Sequence, residues 1–145
     1  MDPYQCIIAA VNLEPKSDHA TIERAKKLAS NNNAKLYLIH AIESLNPYGM
    51  GYAYPAIPNV EDEIWGKHKK ELVTEAEKQG IASDALIIEI GTSYTVIVNQ
   101  AKKLKADLII IGIHGRHGLR SLLGSTTDSV LHHAPCDILA IRLQN

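Results

Sequence analysis

The sequence has few of the features that mark secreted, membrane-spanning or nucleic-acid-binding proteins. Only two of its 145 residues are cysteine, which is too few for the disulfide framework of a small secreted domain. No apolar run reaches the ~18 residues of a transmembrane helix, and residues 1–10 lack the basic region and cleavage site of a signal peptide. Lysine and arginine number 15 against 16 acidic residues, so the basic excess of proteins that bind nucleic acids or membrane surfaces is missing. We expect a cytoplasmic protein with neither kind of partner.

The composition that is present is ordinary for a globular protein. Hydrophobic residues make up 46% and charged residues 21%, and a chain of this length predicts one domain spanning residues 1–145. Cys6 and Cys136 lie in apolar runs typical of strands. We therefore predict two buried, reduced thiols in place of a disulfide.

Short apolar runs alternate with helical patterns along the chain. The runs predict strands at residues 5–11, 34–42, 84–90, 107–113 and 137–142. The helical patterns cover residues 17–29, 60–79, 93–105 and 122–133, with Ser17 as an N-cap, three asparagines (residues 31–33) ending the first helix and Gly80 following the second. Strands that alternate with helices predict an α/β fold, a three-layer open parallel sheet with helices on both faces. Residues 44–59 are rich in proline, glycine and tyrosine, and are either a variable surface loop or a lid beside a ligand site.

Open parallel sheets bind ligands at the carboxyl ends of their strands. The end of the first strand, residues 10–12, and the loop that follows the fourth strand are therefore candidate sites. That loop contains Gly112 and Gly115, then Gly124 at the start of a helix, where free amides and the helix dipole favour an anion. Two interpretations remain open, a phosphate cradle or a tight turn followed by a capped helix. The loop lacks the lysine of a Walker A motif and follows the wrong strand for a Rossmann fingerprint.

The spacing of these glycines resembles that of the universal stress protein family. The family pattern is Gly-x2-Gly-x9-Gly-[Ser/Thr], and this chain has Gly112-x2-Gly115-x8-Gly124-Ser125. The apolar strand ending at Gly112 and the run from His133 to Ile141 are also similar to the family, so the resemblance covers nearly the full length. It implies a five-stranded parallel sheet of order 3-2-1-4-5, a Rossmann-like fold of the adenine-nucleotide alpha hydrolase type. It also implies a homodimer that pairs through the fifth strand, Asp137 to Leu143, and an unknown protein partner.

The resemblance further implies an adenine-nucleotide site, with ATP or AMP as ligand and Mg²⁺ only alongside bound ATP. The pocket for the adenine would comprise Ala10, Val11, Ala41 and Ile111. Asn12 stands where nucleotide-binding members carry an aspartate that contacts the nucleoside. The residues expected around the ribose and phosphates are Gly112, His114, Gly115, Arg116, Gly124, Ser125 and Thr126.

Two departures from the family pattern keep other functions open. Asn12 replaces an aspartate, and the loop is one residue short. A branch of the family, the universal stress protein A type, shares the fold without binding ATP, and the run that begins Val11-Asn12 resembles its first loop. The alternatives to a nucleotide-binding stress-response protein are therefore an A-type dimer acting through protein contacts and a slow ATPase without assigned catalytic residues. Of the seven histidines, none completes a metal site, and we interpret His40 as a hydrogen-bonded core histidine.

Overall fold

A computed structural model describes residues 3–43, 60–114 and 125–143 of the chain. Strands and helices alternate throughout it. The strands are β1 (Cys6–Ala10), β2 (Lys35–Ile42), β3 (Leu86–Ile90), β4 (Leu108–His114) and β5 (Asp137–Leu143). The helices are α1 (Pro15–Asn32), α2 (Val60–Lys78), α3 (Ser93–Leu104) and α4 (Ser125–His133), and a single 3-10 turn (Ser83–Ala85) precedes β3.

The five strands form one parallel sheet in the order β3-β2-β1-β4-β5. β1 lies in the middle, and Ile7, Ile8 and Ala9 are fully buried within it. A strand covered on both faces needs an unbroken apolar sequence, and this is why β1 and β4 are continuous apolar runs. The predicted fold class and strand order are confirmed.

The apolar core has two halves, one on each face of the sheet. One half packs α1 and α2 against the sheet through residues such as Ile22, Leu72 and Ile110. The other packs α3 and α4 through residues such as Val96, Val130 and Ile109. Because the helices cover both faces, the strand ends are the places where a ligand can reach the sheet.

Most helix ends agree with the prediction. Asn33, with a φ of 55°, ends α1, and Gly80, with a φ of 72°, follows α2 in the left-handed conformation that glycine tolerates best. The prediction of Ser17 as an N-cap was wrong, because α1 begins at Pro15 and Glu14 is its N-cap. Proline is suited to the first turn of a helix, where its missing amide has no partner to lose.

Both cysteines are free thiols. Cys6 is buried as predicted, whereas Cys136 is half-buried and precedes β5. None of the described helices is long and apolar enough to cross a membrane. The predicted loop at residues 44–59 lies outside the described residues.

Candidate functional site

A cavity of about 190 Å³ opens at the carboxyl ends of the central strands. Three of the predicted residues that line it, Ala10, Ala41 and Ile111, come from three neighbouring strands. Parallel strands end at the same edge of a sheet, so residues about 30 and 70 positions apart meet there. The full lining is Ala10, Val11, Asn12, Ile39, Ala41, Ser93, Ile97, Ile111, Gly112, Thr126 and Thr127.

Seven of the twelve predicted site residues line this cavity. They are Ala10, Val11, Asn12, Ala41, Ile111, Gly112 and Thr126. His114 is the last residue of β4 and Ser125 the first of α4. Gly115, Arg116 and Gly124 lie outside the described residues.

Gly112 does not use the conformational freedom that glycine has. Positive φ angles among the described glycines occur at Gly80 and Gly91 and not at Gly112. A Cβ on Gly112 would lie 2.7 Å from Leu143 Cδ1 and 2.8 Å from Thr21 Oγ1. Close packing of α1 and β5 against β4 therefore leaves room for a side chain at this position only if Thr21 and Leu143 shift.

His40 holds the end of β1 from the β2 side. It is 7% exposed, and its Nδ1 lies 2.9 Å from the Val11 carbonyl oxygen. A carbonyl oxygen only accepts hydrogen bonds, so Nδ1 carries the proton. The Nε2 of neutral His40 is then an acceptor, and His68 Nδ1, 2.9 Å away, donates to it. Burial lowers the pKa of His40, and its interpretation as a hydrogen-bonded core histidine is confirmed.

Ser93 lines the cavity without having been predicted from the sequence. It is the first residue of α3, and both its amide and its hydroxyl donate to Glu43 Oε1, over 3.3 and 3.1 Å. Glu43 follows β2 and so supplies the acceptor for the α3 amino end that Thr92, the N-cap residue, does not supply. The connection from β3 to β4 places the start of α3 beside the carboxyl ends of the strands. This topology is the feature of the sequence that could have predicted Ser93 as a cavity residue.

Ile39, Ile97 and Thr127 also line the cavity and were missed. Ile39 and Ile97 belong to apolar faces that the sequence presents as core. Thr127 follows the predicted Thr126 in the first turn of α4. The first amides of a helix have no intrahelical partners and its amino end carries partial positive charge. This wall of the cavity is therefore suited to an acceptor or an anion.

The described lining of the cavity is uncharged. Its polar residues are Asn12, Ser93, Thr126 and Thr127. Such a lining provides donors and acceptors for a neutral polar ligand and apolar surface for a flat one. Within the described ranges, no three histidine, cysteine or acidic side chains are grouped closely enough to hold a metal ion.

Comparison with known proteins agrees with this architecture. The sequence model of the universal stress protein family matches residues 3–142. Universal stress protein A homolog 2 of Coxiella burnetii is 46% identical over 144 residues, covering 99% of both chains.

Solved structures share the fold. The universal stress protein UspA of Lactobacillus plantarum superimposes with a TM-score of 0.76 at 24% identity, over 96% of this chain and 98% of that one. A universal stress protein solved in complex with cAMP gives a TM-score of 0.61 at 22% identity, over 96% and 97% of the two chains. The chain belongs to the universal stress protein family.

Proposed function

We propose that this protein binds an adenine nucleotide, ATP or AMP, in the cavity at the strand ends and acts as a nucleotide-responsive regulatory protein of the stress response. The observation that carries the proposal is the convergence on one cavity of seven residues named for that ligand from the sequence. They come from β1 and the loop after it, from β2, from β4 and from α4. A solved relative of the same fold holds cAMP, which supports an adenine nucleotide as the ligand class.

The size and chemistry of the cavity suggest which part of the nucleotide it takes. Pockets that enclose whole drug-sized ligands measure about 300–1,000 Å³, and this one is about 190 Å³. The described walls therefore suit the nucleoside part of the ligand. Adenine would lie against Ala41 and Ile111, and the Asn12 side chain would hydrogen bond to the ribose hydroxyls. The phosphates would meet the amino end of α4, at Ser125 and Thr126.

The proposal is binding and not turnover. Hydrolysis of ATP requires a positioned base, a metal-binding carboxylate or a lysine near the phosphates. The described residues that line the cavity include none of these. Mg²⁺ would enter only as a companion of bound ATP.

We also propose a cytoplasmic homodimer that pairs through β5. β5 is an edge strand of the sheet, and an unpaired edge is a template for pairing with a second copy. Sedimentation of the wild-type protein and of a variant with proline at Ile138 tests this. We expect the wild type to sediment as a dimer and the Ile138→Pro variant to sediment as a monomer.

A second candidate function is that of an A-type protein that leaves the cavity empty and works through protein contacts. Two observations favour it, Asn12 in place of an aspartate and the name of the 46% identical relative, a universal stress protein A homolog. The two candidates differ in one measurable property, affinity for nucleotide.

A pair of alanine variants separates the candidates. In Ala41→Leu, three extra carbon atoms would project into the cavity and exclude the adenine. Ala20→Leu adds the same atoms at an exposed position of α1 and is the matched control. Equilibrium dialysis with labelled AMP should show binding to the wild type and Ala20→Leu and at least a tenfold loss in Ala41→Leu. Equal binding to all three proteins would place the nucleotide elsewhere, and binding to none would favour the A-type function.

A further inference from the structure

The loop that leaves β1 adopts an unusual backbone conformation next to the cavity. Leu13 has a φ of 64°, in the left-handed region that residues with a Cβ rarely occupy. Its neighbour Asn12 lines the cavity. A strained residue beside a binding site persists only where its surroundings fix it, so the groups that hold this loop also determine the shape of the site.

Asp18, in the first turn of α1, is the group that holds the loop. Its side chain is buried, with the residue 3% exposed, and Oδ1 accepts a hydrogen bond from the Asn12 amide over 2.9 Å. The Leu13 amide lies close enough to this carboxylate to lower its pKa. A charged acceptor holds an amide more strongly than a neutral one, so this side chain fixes the backbone where the loop leaves β1.

We propose that Asp18 is a positioning residue of the candidate site: its carboxylate holds the Asn12–Leu13 backbone in the shape that presents Asn12 to the cavity, and its protonation releases that backbone and weakens ligand binding. A protonated carboxyl group gives up part of its acceptor capacity, because one oxygen becomes a donor. The left-handed conformation of Leu13 then loses support. The inference rests on the proposed nucleotide site only for its binding readout.

The proton can be gained near neutral pH. The pKa of Asp18 is raised from 3.8 to about 6, chiefly by burial, although the Asn12 and Leu13 amides act in the opposite direction. The charges of Glu75 of α2 and of Glu14 contribute to the same increase. A second cavity, of about 320 Å³, lies beside Asp18. Its other lining residues are Leu13 and the α2 residues Lys70, Glu71, Thr74, Glu75 and Lys78.

His40 holds the same loop through a hydrogen bond that does not depend on pH in this way. His40 donates to the Val11 carbonyl oxygen through Nδ1–H. Both neutral and protonated imidazole can make that bond, because protonation adds a proton at Nε2 and leaves Nδ1–H in place. His68 and Glu71 are the titratable groups that act on His40 from α2. Acid should therefore release Asn12 and Leu13 and leave Val11 held.

The test compares the wild type with Asp18→Asn, which has the shape of the protonated side chain. AMP affinity is measured by calorimetry between pH 5 and 7.5. The AMP phosphate titrates in the same range, so the quantity compared is the ratio of the two affinities at each pH. At pH 7.5 we expect the wild type to bind AMP about tenfold more tightly than Asp18→Asn does. A tenfold difference is the effect expected when one charge-assisted hydrogen bond is lost. The ratio should fall towards one as the pH falls through 6. A ratio near one at every pH would overturn the inference.

Glu75→Gln is the matched control, because it removes a neighbouring carboxylate and keeps Asp18. Glu75 raises the Asp18 pKa, so this variant should keep tight binding at pH 7.5 and shift the midpoint of the pH dependence downward. A shift of the midpoint in the opposite direction would contradict the role of Asp18.

A measurement without ligand separates this inference from the proposed function. Amide NMR shifts of Asn12 and Leu13 should titrate with a midpoint near pH 6 in the wild type and stay constant in Asp18→Asn. If AMP fails to bind but the amides titrate, the nucleotide proposal is wrong and the role of Asp18 stands. If the amides of the wild type do not titrate, the role of Asp18 is wrong whether or not AMP binds.

Discussion

Two aspartates hold the two ends of β1, and their surroundings differ. At the amino end, Asp107 accepts hydrogen bonds from the Gln5 and Cys6 amides, over 2.8 and 3.0 Å, from a partly buried position. At the carboxyl end, Asp18 Oδ1 accepts from the Asn12 amide over 2.9 Å while 3% exposed. Both carboxylates accept from backbone amides at an end of β1, but Asp107 has two such bonds and is partly exposed, whereas Asp18 has one and is withdrawn from water beside a cavity.

The difference predicts that the two carboxylates have opposite effects on the free energy of unfolding. A partly exposed carboxylate gains two charge-assisted hydrogen bonds and loses little hydration. For Asp18, the raised pKa means that the cost of burying the charge exceeds the stabilisation that the neighbouring backbone amides provide. A residue that costs stability at neutral pH at the edge of a cavity is typical of a site selected for function.

The largest expected effect on the free energy of unfolding comes from Asp107, at the amino end of β1. Asp107→Asn keeps one acceptor and removes the charge, so we expect the free energy of unfolding to fall by about 1.5 kcal/mol at pH 7.5. Urea denaturation measures this, and nucleotide affinity should not change. If the variant is as stable as the wild type, the charge of Asp107 contributes nothing to the stability of the fold.

Asp18→Asn should have a smaller effect of opposite sign. The folded-state pKa of Asp18 lies above its ordinary value, so the folded protein binds the proton more tightly than the unfolded chain. The cost of the buried charge is therefore fully present above about pH 6 and absent below about pH 4. Removing the charge should raise the free energy of unfolding by about 1 kcal/mol at pH 7.5, a gain that disappears at pH 4. Urea melts at the two pH values check both statements, and a loss of stability at pH 7.5 would contradict the comparison.

The smallest effect on stability is expected for His68, which contacts His40 near the carboxyl end of β1. His68→Ala removes the donor to His40 Nε2 but leaves the bond from Nδ1 to Val11. We expect a loss of about 0.5–1 kcal/mol in unfolding free energy and no change in the midpoint near pH 6 for the Asn12 and Leu13 amides. If that midpoint disappears, the imidazole pair is the group that senses pH.

The sequence predicted the parts of this molecule that depend on local pattern. The uninterrupted apolar runs of β1 and β4 predict buried strands, and the rule that ligands bind at carboxyl ends of strands points to residues 10–12 and to the loop after β4, while Ala41 and Ile111 were implied by the family resemblance. The resemblance to the family supplied the strand order and the candidate ligand.

What the sequence did not predict depends on contacts between distant segments. Glu43 accepts a hydrogen bond from Ser93, 50 residues further along the chain, and no sequence motif predicts that pair. The reason for glycine at position 112 lies in Thr21 and Leu143, which pack against it. The role of Asp18 depends on the left-handed conformation of Leu13 and on the burial of its side chain, neither of which is visible in a helical pattern.

The most direct test of the account is calorimetric titration of the wild-type protein with ATP and with AMP at pH 7.5, with and without Mg²⁺. The account predicts saturable binding of one nucleotide per chain at micromolar affinity, with AMP binding independent of Mg²⁺ because the described cavity walls address the nucleoside. Absence of binding at millimolar nucleotide would contradict it. In that case, the protein would resemble the A-type branch in function as well as in its first loop.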